Sequence, residues 1–355
     1  MWDTSGRATF STGTEALSKT IELFSEMLSQ PAFDEAEISR IKNSHIAQIA
    51  GQNDFSTDIA RREIKKLIYG SESPLARTIT YDSLEQIRLS DIREFYSHKV
   101  MPKGAFLGIA GDFEIEPMKN LLAQTLGRWV AEEAIAPAPY PDTQQSSAGV
   151  FVIDQPHLTQ STVYMGQMGG NRRSPYRAPL FILNRVFESR LFSELRERQG
   201  LTYGANAAWE PRYEGKGMFV AEGNTRSEMT VPFIQALHRE IERVRREPIP
   251  EEELKAAKDK WLNNFVYNYE RPDQAMDWLV ELSFYGYPLD YLFQLREQVE
   301  NVTAQQVLEA AQAALIPEEM VTVIVGDIAE IGSTLEKLGV EITPIDVSIQ
   351  ASSDA

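Results

Sequence analysis

The chain of 355 residues contains no cysteine. Disulfides, thiol nucleophiles and cysteine-ligated zinc are thereby excluded. Histidine is scarce, with only His45, His98, His157 and His238. None forms H-E-x-x-H or H-x-x-E-H with a neighbour, so the histidine-based zinc motifs are absent. An excess of cations is missing too. Thirty-five Lys and Arg face 52 Asp and Glu, a formal net charge of −17. Such a surface repels phosphate backbones, so nucleic acid is not an expected partner. No apolar run reaches the roughly 18 residues of a membrane span. "MWDTSGRATF" at the start has no basic region followed by an apolar stretch, so no signal peptide is expected in it. The phosphate loop G-x-x-x-x-G-K-[ST], the dinucleotide pattern G-x-G-x-x-G and the nucleophile elbow G-x-S-x-G are also lacking.

What is present is globular. Hydrophobic residues make up 43% and charged residues 25%, ordinary values for a folded protein. The length suits two domains or a pair of related ones and buries a core without staples. Self-similarity supports the pair. "QIRLSDIREFYSHKVMPKGAFLGIAGD" at 86–112 and "QVENVTAQQVLEAAQAALIPEEMVTVIVGD" at 298–327 follow one plan. Each has a helix end, a Ser or Thr cap (Ser90, Thr303), an apolar helix, a proline, an apolar strand and Gly-Asp. Pro102 to Pro317 and Gly111 to Gly326 both span 215 residues, and "FDEAEISRIK" at 33–42 resembles "IPEEELKAAK" at 249–258 at an offset of 216. Two copies of an α+β unit are therefore expected. Residues 1–131 form the latter part of the first, 150–345 a complete second, and 346–355 a disordered tail. "EEAIAPAPYPDTQQSSAG" at 132–149, proline-rich and without Lys or Arg, reads as an extended linker. By this register the first copy starts about 65 residues late.

Period sets the elements. Leu17, Ile21, Phe24 and Leu28 share a helical face that stops before Pro31, and Ile38, Ile41, His45 and Ile49 share another. "RATFST" at 7–12 is expected to be a strand whose sheet neighbours are missing, with apolar surface left bare. "GVFVIDQ", "STVYMGQMG", 202–209, 217–223 and "MVTVIVGD" read as strands, with helices at 175–199, 226–246, 250–269 and in 271–314. Strands and helices come in blocks, which favours α+β over a doubly wound parallel sheet. His45 reads as a structural histidine on an apolar stripe and His238 as solvated surface. His98 suits a helix C-terminus, and His157 stands in a loop beside Pro156. Asn301-Val302-Thr303 fits a glycosylation sequon, but Thr303 with Gln306 makes a capping box.

One stretch invites more. "LFSELRERQGLTYGANAAWE" at 191–210 is a helix that stops at Gly200 and restarts as a strand. Glycine past a helix end closes the last carbonyls, and Arg196 near that end suits the dipole. Composition and spacing go no further than a cap followed by a strand.

The second copy as a whole resembles the C-terminal half of the pitrilysin/insulinase family of zinc metallopeptidases, which includes the mitochondrial processing peptidases. The resemblance rests on "SRLFSELRERQGLTYGANAAWEPRYEGKGMFVAEGNT", then "PEEELKAAKDKW" and "VTVIVGD" in order. In the first copy it rests on "PAFDEAEISR", "DSLEQIRLSDIREFY" and "GIAGD". It implies tandem metallopeptidase-type units, each an antiparallel-rich sheet flanked by helices, clamped around a chamber. In the family, H-x-x-E-H and a downstream Glu of the N-terminal unit hold zinc, and the motif's Glu activates a metal-bound water. An Arg and a Tyr seven residues apart face that zinc from the C-terminal unit. Arg196 and Tyr203 match this pair, which implies substrate-backbone binding and stabilisation of the oxyanion. The resemblance also places Gln48 where a zinc-binding Glu is expected, and Ile41 in place of another acid. A neutral amide is a poor zinc ligand.

The resemblance thus implies the Arg/Tyr-carrying, non-zinc subunit of a heterodimeric zinc endopeptidase, inactive alone. No cofactor is expected on this chain; zinc is expected in a zinc-motif partner subunit, and the substrates are peptides. Two alternatives stand beside it: a non-catalytic structural or assembly subunit with the peptidase fold, and a truncated single-chain zinc peptidase. Bacterial paired members favour the periplasm.

Overall fold

A computed structural model describes residues 5–130, 144–145 and 147–349. Helices α1 (Leu17–Ser29), α2 (Glu35–Ala50), α3 (Ser56–Tyr69), α4 (Tyr81–Gln86), α5 (Leu89–Lys99) and α6 (Ile115–Gln124) come first. There follow β1 (Gly149–Asp154), β2 (Gln160–Met168), α7 (Arg177–Leu191), β3 (Thr202–Glu210) and β4 (Met218–Arg226). Helices α8 (Thr230–Arg246), α9 (Glu251–Phe265), α10 (Pro272–Phe284), α11 (Tyr291–Asn301) and α12 (Ala304–Ala314) lead to β5 (Val321–Gly326), α13 (Ile328–Leu335) and β6 (Ile342–Pro344).

The six strands form one mixed sheet in the order β3-β4-β2-β5-β1-β6. β3–β4, β4–β2 and β2–β5 pair antiparallel, and β5–β1 and β1–β6 pair parallel. The α+β, antiparallel-rich reading therefore holds. β5, "VTVIVG", is buried along its whole length, as an unbroken apolar strand must be when both faces of its sheet are covered. On one face α7, α8 and α12 bury Phe187, Phe233, Leu237 and Ala310 against Met165, Phe219 and Ile324. On the other lies a single helix from the N-terminal segment. Ile59, Ala60, Ile64 and Ile68 of α3 are fully buried against Tyr164, Val321, Val323 and Val325. The N-terminal segment is thus anchored to the C-terminal sheet by helix-on-sheet burial.

The helices repeat the spacing read in the sequence. α5 and α12 start 215 residues apart, at Leu89 and Ala304, and end 215 apart, at Lys99 and Ala314. α3 and α10 start 216 apart. The strands do not repeat. Residues 7–12 and 105–110, both expected as strands, have no strand structure. Shifted by 215, these segments fall on β4 and β5, which are not neighbours because β2 lies between them. Without that middle strand neither segment has a ladder partner for its backbone groups. They run instead along α10. Arg7 pairs with Asp277 and reaches Glu281 at 3.8 Å. Gly108 lies so close under Met276 and Val280 that a Cβ would come within 2.6 Å of both. Phe10, Phe106 and Leu107 stay exposed.

The α2 stripe is corrected for the same reason. Only Ile49 of α2 is buried, while Ile41 is 43% exposed, because no sheet lies beneath it. His238, expected on solvated surface, is half-buried, and desolvation lowers its pKa. Its neighbours along a cavity of about 440 Å³ include Gln235, Arg239 and Met320. The Thr303–Gln306 capping box forms as expected. His157 takes φ +72 and donates its N–H to Asp327 Oδ2 at 2.8 Å. Most of the expected linker lies outside the described residues, as do 350–355 of the expected tail. Within 346–349, Val347 packs against the α3 core, and its carbonyl accepts from Asn53 Nδ2 at 2.7 Å.

Candidate functional site

The joint at 191–210 is built from two irregularities. α7 ends at Leu191 and the chain continues as a π-helix over Phe192–Arg198. Leu191 and Leu195 are both fully buried, so the wider turn keeps two core anchors four residues apart. The N–H of Gln199 donates to Glu194 O at 3.1 Å and that of Leu201 to Leu195 O at 2.8 Å. Gly200 turns the chain at φ +59, a conformation glycine adopts without steric cost. Arg190, just before the joint, is 6% exposed and donates its Nε to Glu253 at 2.7 Å, which ties α7 to α9. Arg196 projects from the π-helix into solvent, its guanidinium 4.9 Å from the Phe192 ring centroid. It has no ion pair among the described residues. π-Turns of this kind concentrate at functional sites.

The second irregularity carries Tyr203. Thr202 pairs with Thr225 and Gly204 with Asn224, so Tyr203 is the extra residue of a β-bulge on the edge strand. The Thr202 hydroxyl locks the bulge. Its one proton lies between the Asn224 and Gly204 carbonyls, and its oxygen accepts from the Gly204 N–H at 3.1 Å. A bulge re-aims a side chain that regular pleating would fix, and Tyr203 stands 81% exposed. Arg196 and Tyr203 thus stand exposed on the two sides of one turn.

Next to the bulge, the α3-side face of the sheet is polar. Asn224 pairs with Thr162 across β4 and β2, and Glu222 with Tyr164. The Tyr164 hydroxyl accepts from Arg61 Nη2 at 3.4 Å and hydrogen-bonds to Glu222. Burial, reinforced by the Glu222 carboxylate, pushes Tyr164 from 10 up to about 12. Because the folded pKa is raised, this stabilisation is complete below the unfolded pKa near 10 and is lost as pH rises toward 12. Tyr164 is expected to stay un-ionised at about pH 11, so the ultraviolet difference spectrum between wild type and Tyr164→Phe should show no tyrosinate band there. A band growing in with an ordinary midpoint contradicts the buried contact.

At the Gln48 position, the described residues offer zinc a poor donor set. His45 Nδ1 and Gln48 Oε1 lie 2.9 Å apart and bond each other on an exposed stretch of α2. One imidazole and one neutral amide are too few and too weak as donors. Among the described residues no three His, Asp or Glu side chains gather as a ligand set. Sequence reasoning missed Phe192 under Arg196 and the Thr162–Asn224 contact. The i,i+4 spacing of Phe192 and Arg196 on one helix was the available signal for the first, whereas the second joins two strands and has none.

Residues 86–260 match the family described as "Peptidase M16 inactive domain". The "Uncharacterized zinc protease YmxG" of Bacillus subtilis is 22% identical over 269 residues, 74% of this chain and 64% of that protein. An "Uncharacterized zinc protease" of Rickettsia bellii is 22% identical over 72% of this chain and 62% of its own length. The chain thus spans less than two thirds of these relatives. Among solved structures, the peptidase M16 inactive domain from Pseudomonas fluorescens superposes with a TM-score of 0.78 at 24% identity, over 89% of this chain and 76% of that one. The first half of the periplasmic protease PqqL from Escherichia coli gives 0.68 at 16%, over 96% and 78%. Residues 86–260 thus carry the match to the peptidase M16 inactive domain, and the zinc-protease relatives and the shared fold are similarities that agree with it.

Proposed function

We propose that this chain is the substrate-binding, oxyanion-stabilising partner subunit of a zinc-dependent metalloendopeptidase. The observation that carries the reading is the exposed Arg196–Tyr203 pair, held on a π-turn and a β-bulge beside one turn. The reading treats the chain as two related units, with zinc in a second, zinc-motif subunit that this pair faces.

The chemistry follows from the two side chains. Arg196 presents a permanent cation with several N–H donors, and Tyr203 a neutral O–H donor. Both bind the carbonyl oxygen of an extended peptide. When water adds to that carbonyl, its oxygen gains negative charge and both hydrogen bonds strengthen. Donors already fixed in place need no reorganisation at that moment, and the backbone bonds of Gln199 and Leu201 with the Thr202 lock hold the turn. The Phe192 ring under Arg196 restrains the guanidinium without neutralising it.

Two measurements test the assignment. Metal analysis of the purified chain is expected to give far less than one zinc per chain, and a full equivalent overturns the subunit reading. Mixing with a zinc-motif M16 protein is expected to yield chelator-sensitive peptide cleavage that neither protein shows alone. Co-purification with a large assembly, with no cleavage in any mixture, would instead mark an assembly role.

A further inference from the structure

We propose that Asn224 is a third hydrogen-bond donor to the bound peptide, aimed by a hydroxyl relay that starts on α3. The proposal rests on the reading that Arg196 and Tyr203 bind peptide.

Proton bookkeeping gives the direction of the relay. Thr162 Oγ1 donates to Asn224 Oδ1 at 2.8 Å. A hydroxyl has one proton, so Thr162 can only accept from Ser56 Oγ, 2.7 Å away. The chain therefore runs Ser56→Thr162→Asn224. The Asn224 oxygen is occupied and its NH2 group, with two donors, is left over. Asn224 is exposed, whereas Thr162 is 2% exposed. The relay is thus buried at its base and open at its tip.

Position gives the purpose. Asn224 pairs with Gly204, the residue after Tyr203, and its own carbonyl receives the Thr202 hydroxyl that locks the bulge. The amide and the phenol are fixed to one stretch of backbone. Two residues on, the same face carries Glu222, whose carboxylate is engaged by Tyr164, and across from it an exposed Asn206. A surface of amide donors beside an edge strand fits the carbonyl groups of an extended polypeptide, which offers one acceptor per residue. It fits an anionic sugar or a nucleotide less well, because Glu222 repels both. The relay also explains why α3 must dock on this sheet: its first residue, Ser56, sets the orientation of a donor on β4.

The test is peptide binding by the full chain, read as fluorescence anisotropy of a fluorescein-labelled, unstructured 12-residue peptide of Ala, Gly, Ser and Leu. Asn224→Ala is expected to weaken affinity about 3- to 10-fold, the worth of one hydrogen bond. Asn224→Asp keeps the acceptor for Thr162 but turns an anion toward the peptide carbonyl, and a loss of about 10-fold or more is expected. Thr162→Val unlocks the amide for a loss of about 3-fold, and Thr162→Ser restores it. In parallel, the side-chain NH2 resonances of Asn224 should shift on peptide titration of the wild type. Wild-type affinity in Asn224→Asp, or an Asn224 NH2 signal that ignores the peptide, overturns the proposal whatever Arg196 does. If Arg196→Ala binds peptide like wild type, the parent reading fails separately. If the wild type binds no peptide at millimolar concentration, both fall.

Discussion

Arg196→Ala, assayed with a zinc-bearing partner, is expected to lower kcat/KM for peptide cleavage by about 10²- to 10³-fold. Tyr203→Phe should cost about 10-fold or more. The difference follows from charge. The guanidinium interacts most strongly with the oxygen when that oxygen is anionic, whereas the phenol contributes one neutral donor. The Arg196 loss should therefore fall mainly on kcat. Arg196→Lys is expected to recover little, because a point charge on a flexible stem cannot reproduce a fork held over the Phe192 ring. Both side chains are exposed, so thermal stability should stay within about 0.5 kcal/mol of wild type. That separates lost chemistry from lost fold. Unchanged cleavage in both variants sinks the site assignment.

Ile64→Ala is the second large effect, and it is one of stability. Ile64 is fully buried between α3 and the sheet. Removing its outer carbons opens a cavity that packed β-strands cannot close, at a cost of about 2–5 kcal/mol. The midpoint of urea unfolding should fall accordingly. Ile41→Ala on α2 is the matched control. Its side chain is 43% exposed, and the change should cost about 0.5 kcal/mol or less. Two isoleucines of similar sequence context are thus expected to differ several-fold. If Ile64→Ala costs under about 1 kcal/mol, α3 does not dock on the sheet as described, and the support for Asn224 goes with it.

Much of this protein is local and so was legible early. The α5 and α12 helices, the Thr303 cap and the stop at Gly200 depend on side chains within a few residues of the backbone they shape. Their order and their 215-residue spacing were readable because local signals repeat. The short apolar stretches in "STVYMGQMG" and "VTVIVGD" marked strands, since burial on both faces of a sheet favours such runs. Arg196 and Tyr203 could be named from the resemblance carried by the stretch around them.

The strands expected at 7–12 and 105–110 show where that stops. Strand propensity is present there, but a strand exists only when a neighbour supplies the other half of its hydrogen bonds, and β2 has no counterpart beside them. The bulge at Tyr203 is likewise a property of two strands, because it is a mismatch in their register. The burial of Ile64, the half-buried state of His238 and the Ser56–Thr162–Asn224 relay join residues far apart in the chain, Ser56 and Asn224 by 168 positions and Ile64 and Val325 by 261. By itself the sequence determined several of the helices, the Thr303 cap, the stop at Gly200, and that an Arg and a Tyr flank one turn. Only the tertiary structure decided which strands form and which face α3 covers. It also decided that Thr162 and Asn224 meet beside the Tyr203 bulge, because contacts between distant segments leave no periodic trace along the chain.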